Sequence, residues 1–266
     1  MELLHIIVLA LVQGLTEFLP ISSSGHLILP KELLNWPDQG LAFDVAVHVG
    51  SLVAVLVYFR HDVSRLLKAW FLSFYTREQT ADSRLGWYVI VGTIPVCVVG
   101  LLFDDFIETN LRSMAVIATT TVLFGILLGV ADKIGRFQYS LEDFNLKTAL
   151  LVGASQILAL IPGTSRSGIT ITAGLLLGFD RQSAARFSFL LSIPVILLSG
   201  GYKGLQLLLQ DTPVPWGDIG MGAIVSGFSA YLCIDLFLRF INKVGMMPFV
   251  IYRLLLGAFL FWLVLS

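Results

Sequence analysis

The chain has 266 residues, of which 56% are hydrophobic and only 13% charged, and its mean hydropathy is +0.86. A soluble domain carries about 25% charged residues, so this composition excludes an ordinary soluble domain and predicts one integral membrane domain spanning residues 1–266. The net charge of −1 excludes nucleic acid as a partner. Both cysteines, Cys97 and Cys233, lie in apolar runs, so we expect neither a disulfide nor a thiolate metal site.

The first segment, residues 3–34, has an unusual pattern for a membrane protein. An apolar stretch too short to cross the bilayer comfortably leads into the polar loop 20–26, Pro-Ile-Ser-Ser-Ser-Gly-His, which precedes a second short apolar stretch. Irregular backbone is tolerated at membrane depth only where protein buries it or where it lines a watery cavity. We therefore predict a re-entrant hairpin; the alternative is two ordinary spans whose serines face neighbouring helices.

Six runs of about 20 apolar residues, the length that crosses a bilayer, make up most of the remaining chain. They are predicted near residues 41–59, 87–103, 114–131, 187–202, 219–240 and 246–265.

Segment 146–179, between the third and fourth runs, resembles the first segment. It carries a second polar loop, residues 162–168, Pro-Gly-Thr-Ser-Arg-Ser-Gly. The halves of the chain, about 1–135 and 146–266, each hold one hairpin and three spans. Because three is odd, the second half must lie upside down relative to the first. The predicted fold is an all-α polytopic membrane protein with six transmembrane helices and two re-entrant hairpins in an inverted-topology repeat, whose loops meet near the bilayer midplane.

The distribution of basic residues gives an independent test of this topology. With the N-terminus outside, twelve of the 17 basic residues face inside, three face outside, and Arg166 and Arg253 fall within the membrane. That distribution obeys the positive-inside rule. The inside residues are Arg60, Arg65, Lys68, Arg77, Arg84, Lys133, Arg136, Lys147, Arg181, Arg186, Arg239 and Lys243, and the outside residues are Lys31, Arg112 and Lys203.

The first segment contains a carboxylate that is costly to bury. Glu17 lies four residues after Gln13, so a helix places both side chains on one face. A membrane-embedded carboxylate is a functional candidate by default. Glu17 could hold a divalent cation beside substrate phosphate oxygens or act as a general base; the structural alternative is a hydrogen bond to a neighbouring helix.

The polar loops supply groups suited to phosphate. The Arg166 guanidinium fork matches phosphate oxygens, although Arg166 could instead only neutralise Glu17. Serine-rich loops before helix N-termini also bind phosphate. The candidate phosphate ligands are Ser22, Ser24, Ser165, Arg166, Ser167 and Thr170.

The first loop also contains groups capable of covalent chemistry. Ser23 is the preferred nucleophile, without a feature that separates it from the serines beside it, and their alternative role is helix N-capping. His26 could act as base, acid or nucleophile.

Four weaker candidates surround these groups. Gln13, Asp44, His48 and Gln156 are interpreted as supporting residues behind the site, and Asp44 and His48 could equally form a structural i,i+4 pair.

Two other polar features lie within the apolar runs. Thr119, Thr120 and Thr121 are interpreted as interhelical packing residues. Arg253 is expected to meet a counter-charge or a lipid headgroup.

The two loops resemble the motifs of a known family. Residues 13–26, with Gln13 and Glu17 followed by Ser-Ser-Ser-Gly-His, are similar to the (E/Q)xxxE region of the undecaprenyl-diphosphate phosphatase family, the BacA/UppP bacitracin-resistance type. Residues 162–170 match its PGxSRSxxT motif throughout. The resemblance covers essentially the whole chain.

The resemblance implies a function and a location. It implies hydrolysis of undecaprenyl diphosphate to the monophosphate and inorganic phosphate in the bacterial cytoplasmic membrane, with an outward-facing site and a divalent cation, Mg²⁺ or Ca²⁺. The functional positions it implies are Glu17, Ser22, Ser23, Ser24, His26, Ser165, Arg166, Ser167 and Thr170. Gln at position 13 weakens any scheme that needs two carboxylates in this motif.

Two other classes of function were weighed. Inverted repeats around a midplane anion site are typical of transporters, so a flippase of a phosphorylated lipid is the main alternative; a non-catalytic lipid-binding subunit is another. The nucleophile-capable Ser23 and His26 beside Glu17 and Arg166 favour the enzyme. The expected partners are a polyprenyl diphosphate and membrane lipid, and a homodimer is compatible with this assembly.

Overall fold

The computed structural model describes residues 2–34, 36, 40–209 and 216–265. Within these ranges the chain is helical, with two short 3-10 helices and no strand. The α-helices are α1 Leu3–Glu17, α2 Ser23–Leu34, α3 Gly40–Tyr58, α4 Arg60–Thr76, α5 Ala81–Asn110, α6 Met114–Ile134, α7 Leu146–Ser155, α8 Arg166–Leu176, α9 Arg181–Leu208, α10 Trp216–Val244 and α11 Met247–Leu265.

Six of these helices, α3, α5, α6, α9, α10 and α11, are long and apolar enough to cross a membrane. They coincide with the six predicted spans, which are confirmed as helices of that kind. Several extend further than the apolar runs; α5 and α9 have 30 and 28 residues because their polar ends continue the helix after side-chain caps from Thr80 and Asp180. Hydropathy alone did not indicate α4, whose 17 residues include charged and aromatic side chains.

The two unusual segments each form a helix, a loop and a second helix, as predicted. Segment 3–34 contains α1 and α2, and segment 146–179 contains α7, the 3-10 helix Gln156–Leu160 and α8. In each segment the second helix starts after a serine in the left-handed region, with φ of 73° at Ser22 and 70° at Ser165. Such values are costly for a side chain with a Cβ and are concentrated at functional sites.

Close helix packing surrounds the second segment. Eight of the 11 residues of α8 are buried, and this helix lies among α6, α7 and α9. Helix α1 packs against α10, and α7 packs against α5. These contacts place both polar loops inside the bundle.

Two ion pairs join the start of α9 to neighbouring helices. Arg186 pairs with Asp62 at 2.9 Å, and Arg181 pairs with Asp132 at 2.6 Å. This end of the bundle contains the start of α9 and the end of α6, which the distribution of basic residues assigns to one side of the membrane. The polar loops are held away from it, deeper in the bundle.

Candidate active site

The two polar loops lie against each other, as the sequence predicts. The backbone N–H of Gly163 donates to Ser24 Oγ at 2.9 Å, and Ser167 Oγ donates to the carbonyl of Leu19 at 2.9 Å. Gly163 has φ of +91°, and a Cβ at this position would collide with Thr120 Oγ1 and the Ile117 carbonyl. Glycine is therefore required for the second loop to approach α6.

The loops share the same local geometry. Ser22 Oγ accepts from the N–H of Gly25 at 3.4 Å, and Ser165 Oγ accepts from the N–H of Gly168 at 3.1 Å. Each of these serines also lies within hydrogen-bond distance of the serine two residues later, at 3.1 Å and 3.3 Å. The N-terminal ends of α2 and α8 are therefore brought together, and helix N-termini favour anions.

Glu17 connects the loops electrostatically. Its carboxylate accepts from Arg166 Nη2 at 2.8 Å, from Gln13 Nε2 at 2.9 Å and from Ser23 Oγ at 3.4 Å. The side chains of Glu17 and Arg166 are only 9% and 12% exposed. The sequence predicted that Gln13 and Glu17 lie on one helical face, which is confirmed, and it gave the Glu17–Arg166 ion pair as the alternative to phosphate binding by Arg166; the structure contains that ion pair.

Arg166 retains an unused donor. Its Nη1 atom is buried and has no hydrogen-bond partner among the described residues. The guanidinium lies 5.7 Å from the ring of Phe18, which is fully buried and limits where the side chain can move. An oriented guanidinium with a free arm suits an anionic ligand that can accept two hydrogen bonds.

A cavity of about 340 Å³ opens at this point. Glu17, Arg166 and the serines of the first loop line it, together with Ser165. His48 of α3 and Lys203 of α9 complete its wall. The cavity therefore combines a carboxylate, two permanent cations, an imidazole and several hydroxyls.

His26 lies beside the loop without lining this cavity. Its Nδ1–H donates to the carbonyl of Ser22 at 2.6 Å, so in the neutral ring Nε2 accepts from the hydroxyl of Tyr252, also at 2.6 Å. The ring is stacked parallel to Tyr252 with centroids 5.4 Å apart. Both ring nitrogens are thus engaged in holding the turn that precedes Ser23.

Three predicted site residues lie behind the cavity wall. Ser167 and Thr170 are buried, and Thr170 Oγ1 bonds the carbonyl of Arg166 at 2.9 Å and the hydroxyl of Ser188 at 2.7 Å. Gln156 is also buried, and neither polar atom of its amide has a partner among the described residues. In this arrangement these residues support the second loop and do not reach the cavity.

His48 contacts Asp44 through the backbone of Asp44. His48 Nδ1–H donates to the backbone carbonyl of Asp44 at 2.7 Å. Because that bond fixes Nδ1 as the donor, the lone pair of neutral His48 is on Nε2. His48 also lines the cavity, so it is part of the site as well as a neighbour of Asp44.

The expectation for Arg253 is wrong. This side chain is completely buried, so it meets no headgroup, and it forms no ion pair within the described residues. Its guanidinium instead donates to five backbone carbonyls at 2.9–3.4 Å, because loop and helix carbonyls point into one small space that no acid occupies. The acceptors belong to Pro20, Thr120, Thr121, Gly163 and Thr164.

Arg253 and two threonines of α6 are therefore the residues that sequence reasoning missed. Thr120 Oγ1 donates to the carbonyl of Pro162 at 2.6 Å, and Thr121 Oγ1 donates to that of Gly163 at 3.3 Å. The one available signal was an arginine deep in an apolar run. Nothing in the sequence indicates that its acceptors are carbonyls on both loops.

A larger cavity, of about 740 Å³, lies at the opposite end of the bundle. Two of the three arginines that line it are already neutralised: Arg65 pairs with Asp62 and Asp82 at 3.3 Å and 3.2 Å, and Arg186 pairs with Asp62. It has no hydroxyl cluster beside an embedded carboxylate, so chemistry is better supported at the smaller cavity.

The fold and the site together define a polytopic membrane protein with a shielded polar cavity between two helix-interrupting loops. Residues 6–259 match the family described as Bacitracin resistance protein BacA. The protein named undecaprenyl-diphosphatase of Teredinibacter turnerae is 63% identical over 261 residues, covering 98% of this chain and 99% of that protein. Proteins of the same name from Saccharophagus degradans and Alteromonas mediterranea are 62% and 57% identical over 264 and 266 residues, with at least 99% of each chain covered. The chain belongs to the BacA family.

Proposed function

We propose that this chain hydrolyses undecaprenyl diphosphate to undecaprenyl phosphate and inorganic phosphate in the cavity between the two loops. Its relatives are named for that activity, at up to 63% identity over nearly the full length. The observation that carries the proposal is the free, buried Nη1 donor of Arg166 beside Ser23 and Glu17. This reaction recycles the lipid carrier of cell-wall polymers, and in doing so it confers resistance to bacitracin.

The first chemical step uses groups already in contact. The terminal phosphate binds the free Nη1 arm of Arg166, and Glu17 Oε2, which already accepts the hydrogen bond of Ser23, takes the Ser23 proton. Ser23 Oγ then forms a bond to the terminal phosphorus while the bond to the bridging oxygen breaks, and undecaprenyl phosphate leaves with that oxygen. Water then forms a bond to the phosphorus while the bond to Ser23 Oγ breaks; the water oxygen leaves with inorganic phosphate, one proton returns to Ser23 Oγ, and the second leaves to solvent so that Glu17 is again ionised. The 3.4 Å hydrogen bond from Ser23 to Glu17 supports this direction of proton transfer.

Electrostatic stabilisation comes from preorganised donors. Arg166 and the N-termini of α2 and α8 face the space where charge accumulates on the phosphoryl oxygens. Phosphoryl transfer depends mainly on positioning and on such stabilisation. His26 serves in this scheme as a positioning residue, because both its ring nitrogens hold neighbouring groups.

A divalent cation is part of the proposal. No group of three His, Cys, Asp or Glu side chains that could hold a metal occurs in the described ranges, so the protein alone offers few ligands. Glu17 supplies one carboxylate, and Gln13 Oε1 beside it is buried without a described partner. This donor set fits Mg²⁺ or Ca²⁺ whose remaining ligands are phosphate oxygens and water. When bound, the cation would offset negative charge on the phosphates.

The finer topology is also a proposal. The matched geometry of Ser22 and Ser165, and the matched packing of α1 on α10 and of α7 on α5, support an inverted repeat with two re-entrant hairpins. We place the N-terminus and the mouth of the cavity outside the bacterial cytoplasmic membrane, from the distribution of basic residues. The exposed apolar faces of the spanning helices contact lipid, and a homodimer would use part of that surface.

Release of phosphate from a polyprenyl diphosphate in detergent tests the function. The wild-type protein should release phosphate, and a chelator should suppress the release until cation is restored. Arg166→Lys should lower kcat/KM by about 100-fold or more, because an ammonium keeps the charge and loses the fork. Near-normal turnover by Arg166→Lys, in protein of unchanged thermal stability, would remove Arg166 from the site.

A further inference from the structure

Lys203 is the cation of the cavity that the proposed mechanism leaves without a role. It lies on α9, five residues before the helix ends at Leu208, and its side chain lines the same cavity as Arg166 and Glu17. Glu17 and Arg166 neutralise each other at 2.8 Å. Lys203 forms no ion pair or hydrogen bond with any residue in the described part of the chain. Among the described residues the cavity therefore has one positive charge beyond the Glu17–Arg166 pair, which favours a ligand of net negative charge.

The position of Lys203 along the bundle is set by its neighbours. A Cβ on Gly204, the next residue, would lie 3.9 Å from Val45 of α3, so this turn of α9 packs beside Val45. His48 follows Val45 by three residues, about 4.5 Å of helix, and also lines the cavity. Lys203 thus lies near the C-terminal end of α9, on the side that we propose to be the outer one and to hold the cavity mouth.

Arg166 stands further inside. Thr170, one turn after Arg166 on α8, bonds Ser188 of α9 at 2.7 Å, which fixes the level of α8 against α9. Lys203 lies fifteen residues after Ser188, so the backbones of Arg166 and Lys203 are at different levels and their long side chains converge on the cavity. The two cations therefore face one cavity from different depths.

The chemistry of a diphosphate matches this arrangement. Its two phosphoryl groups are covalently linked, carry at least two negative charges and need separate cationic partners. A lysine ammonium is a compact charge on a flexible stem, suited to following a phosphate without fixing its orientation. The lipid tail must extend from the mouth, so the phosphate nearer the lipid comes closer to Lys203 and the terminal phosphate closer to Arg166.

We propose that Lys203 binds the phosphate that stays on the lipid, and that it is the residue by which the site prefers diphosphates to monophosphates. This inference rests on the proposed function, which puts the terminal phosphate at Ser23 and Arg166. After cleavage the retained phosphate is no longer linked to the group on Arg166, so the monophosphate product is held by Lys203 alone and departs.

Inhibition by inorganic anions and steady-state kinetics test the assignment together. In wild-type protein, inorganic diphosphate should inhibit at lower concentration than inorganic phosphate, because it can reach both cations. Lys203→Met should raise KM for a polyprenyl diphosphate and Ki for inorganic diphosphate by about tenfold or more, the loss of one charge-assisted contact. Its kcat should stay within about threefold, and its Ki for inorganic phosphate should not change.

Two matched variants control for charge and folding. Lys203→Arg should restore most of the preference for diphosphate, and Lys147→Met, at an exposed lysine outside the cavity, should behave as wild type. An unchanged KM and unchanged anion preference in Lys203→Met overturn the proposal, as does a loss confined to kcat. The wild-type protein and Arg166→Lys, measured in parallel, separate the two ideas. If wild type releases phosphate and Arg166→Lys is inactive while Lys203→Met is normal, only the Lys203 assignment fails, whereas absence of phosphate release by wild type overturns the proposed function itself.

Discussion

Ser23 and His26 are three residues apart in one loop, yet their surroundings differ. Ser23 Oγ donates to Glu17 and faces the cavity, whereas His26 is tied to the Ser22 carbonyl and to Tyr252 outside it. A nucleophile must reach the phosphorus, and a positioning residue need not. The geometry therefore favours Ser23 as the attacking group.

Substitution separates these roles. Ser23→Ala should lower kcat by about 1000-fold or more, since the nucleophile is lost, and it should leave phosphate binding to Arg166 intact. His26→Ala should lower kcat by about 100-fold through displacement of the Ser22 turn, with the shape of the pH–rate profile unchanged. Two measurements check these expectations: kcat as a function of pH, and trapping of a phosphoenzyme. Both are made on the wild-type protein and on Tyr252→Phe.

The opposite pattern has a clear meaning. Substantial turnover by Ser23→Ala with an inactive His26→Ala would make His26 the nucleophile, or the base for direct attack by water. Loss of an acid limb in the pH–rate profile of His26→Ala would likewise assign it a proton-transfer role.

At the residue scale, the sequence predicted the chemical types of the site residues, but it did not predict the direction in which each side chain points. An embedded Glu17 and an embedded Arg166 stand out against apolar neighbours, and burial cost makes them functional candidates whatever the fold. Whether Thr170 faces the cavity or Ser188 depends on the rotation of α8, which neighbouring helices set.

At the scale of elements, Arg253 of α11 connects three parts of the site. It donates to carbonyls of the first loop, the second loop and α6, so that one side chain joins all three at a depth where water cannot satisfy those acceptors. A buried charge without an acidic partner is costly, and here several carbonyl dipoles supply the compensation. Arg253 therefore adds to the direct hydrogen bonds between the two loops.

Arg253→Met should therefore destabilise the protein as well as inactivate it. Buried carbonyls that lose a charged donor should lower the free energy of unfolding by about 3 kcal/mol or more. Arg253→Lys should recover only part of this, because an ammonium cannot reach all five acceptors. Thermal unfolding in detergent and phosphate release are the measurements.

Arg239→Met is the matched control for that experiment. Arg239 is exposed and pairs with Asp235 one turn away at 2.8 Å, so its loss should cost about 0–1 kcal/mol. Equal stability of Arg253→Met and Arg239→Met would contradict the role assigned to Arg253.

At the scale of the whole molecule, cysteine labelling measures the proposed orientation in the membrane. With the native cysteines replaced, Glu78→Cys, between α4 and α5, should react with an impermeant thiol reagent only after the cells are opened. Thr109→Cys, near the end of α5, should react in intact cells. Both positions are exposed, unlike Ser83 nearby, and Thr212 on the same predicted side as Thr109 lies outside the described residues. Reversed labelling would overturn the outward-facing site.

The amino-acid sequence by itself determined the class of protein, the six apolar helices, the two interrupted segments and the residue types of the site. These follow from local quantities: hydropathy over about 20 residues, Pro and Gly in polar loops, and the cost of burying a charge. The tertiary structure alone decided that Arg253 binds carbonyls of both loops, that His48 and Lys203 join the cavity, and that His26 and Thr170 turn away from it. Such contacts join residues up to 233 positions apart, and they depend on how helices rotate and pack, which no single segment encodes.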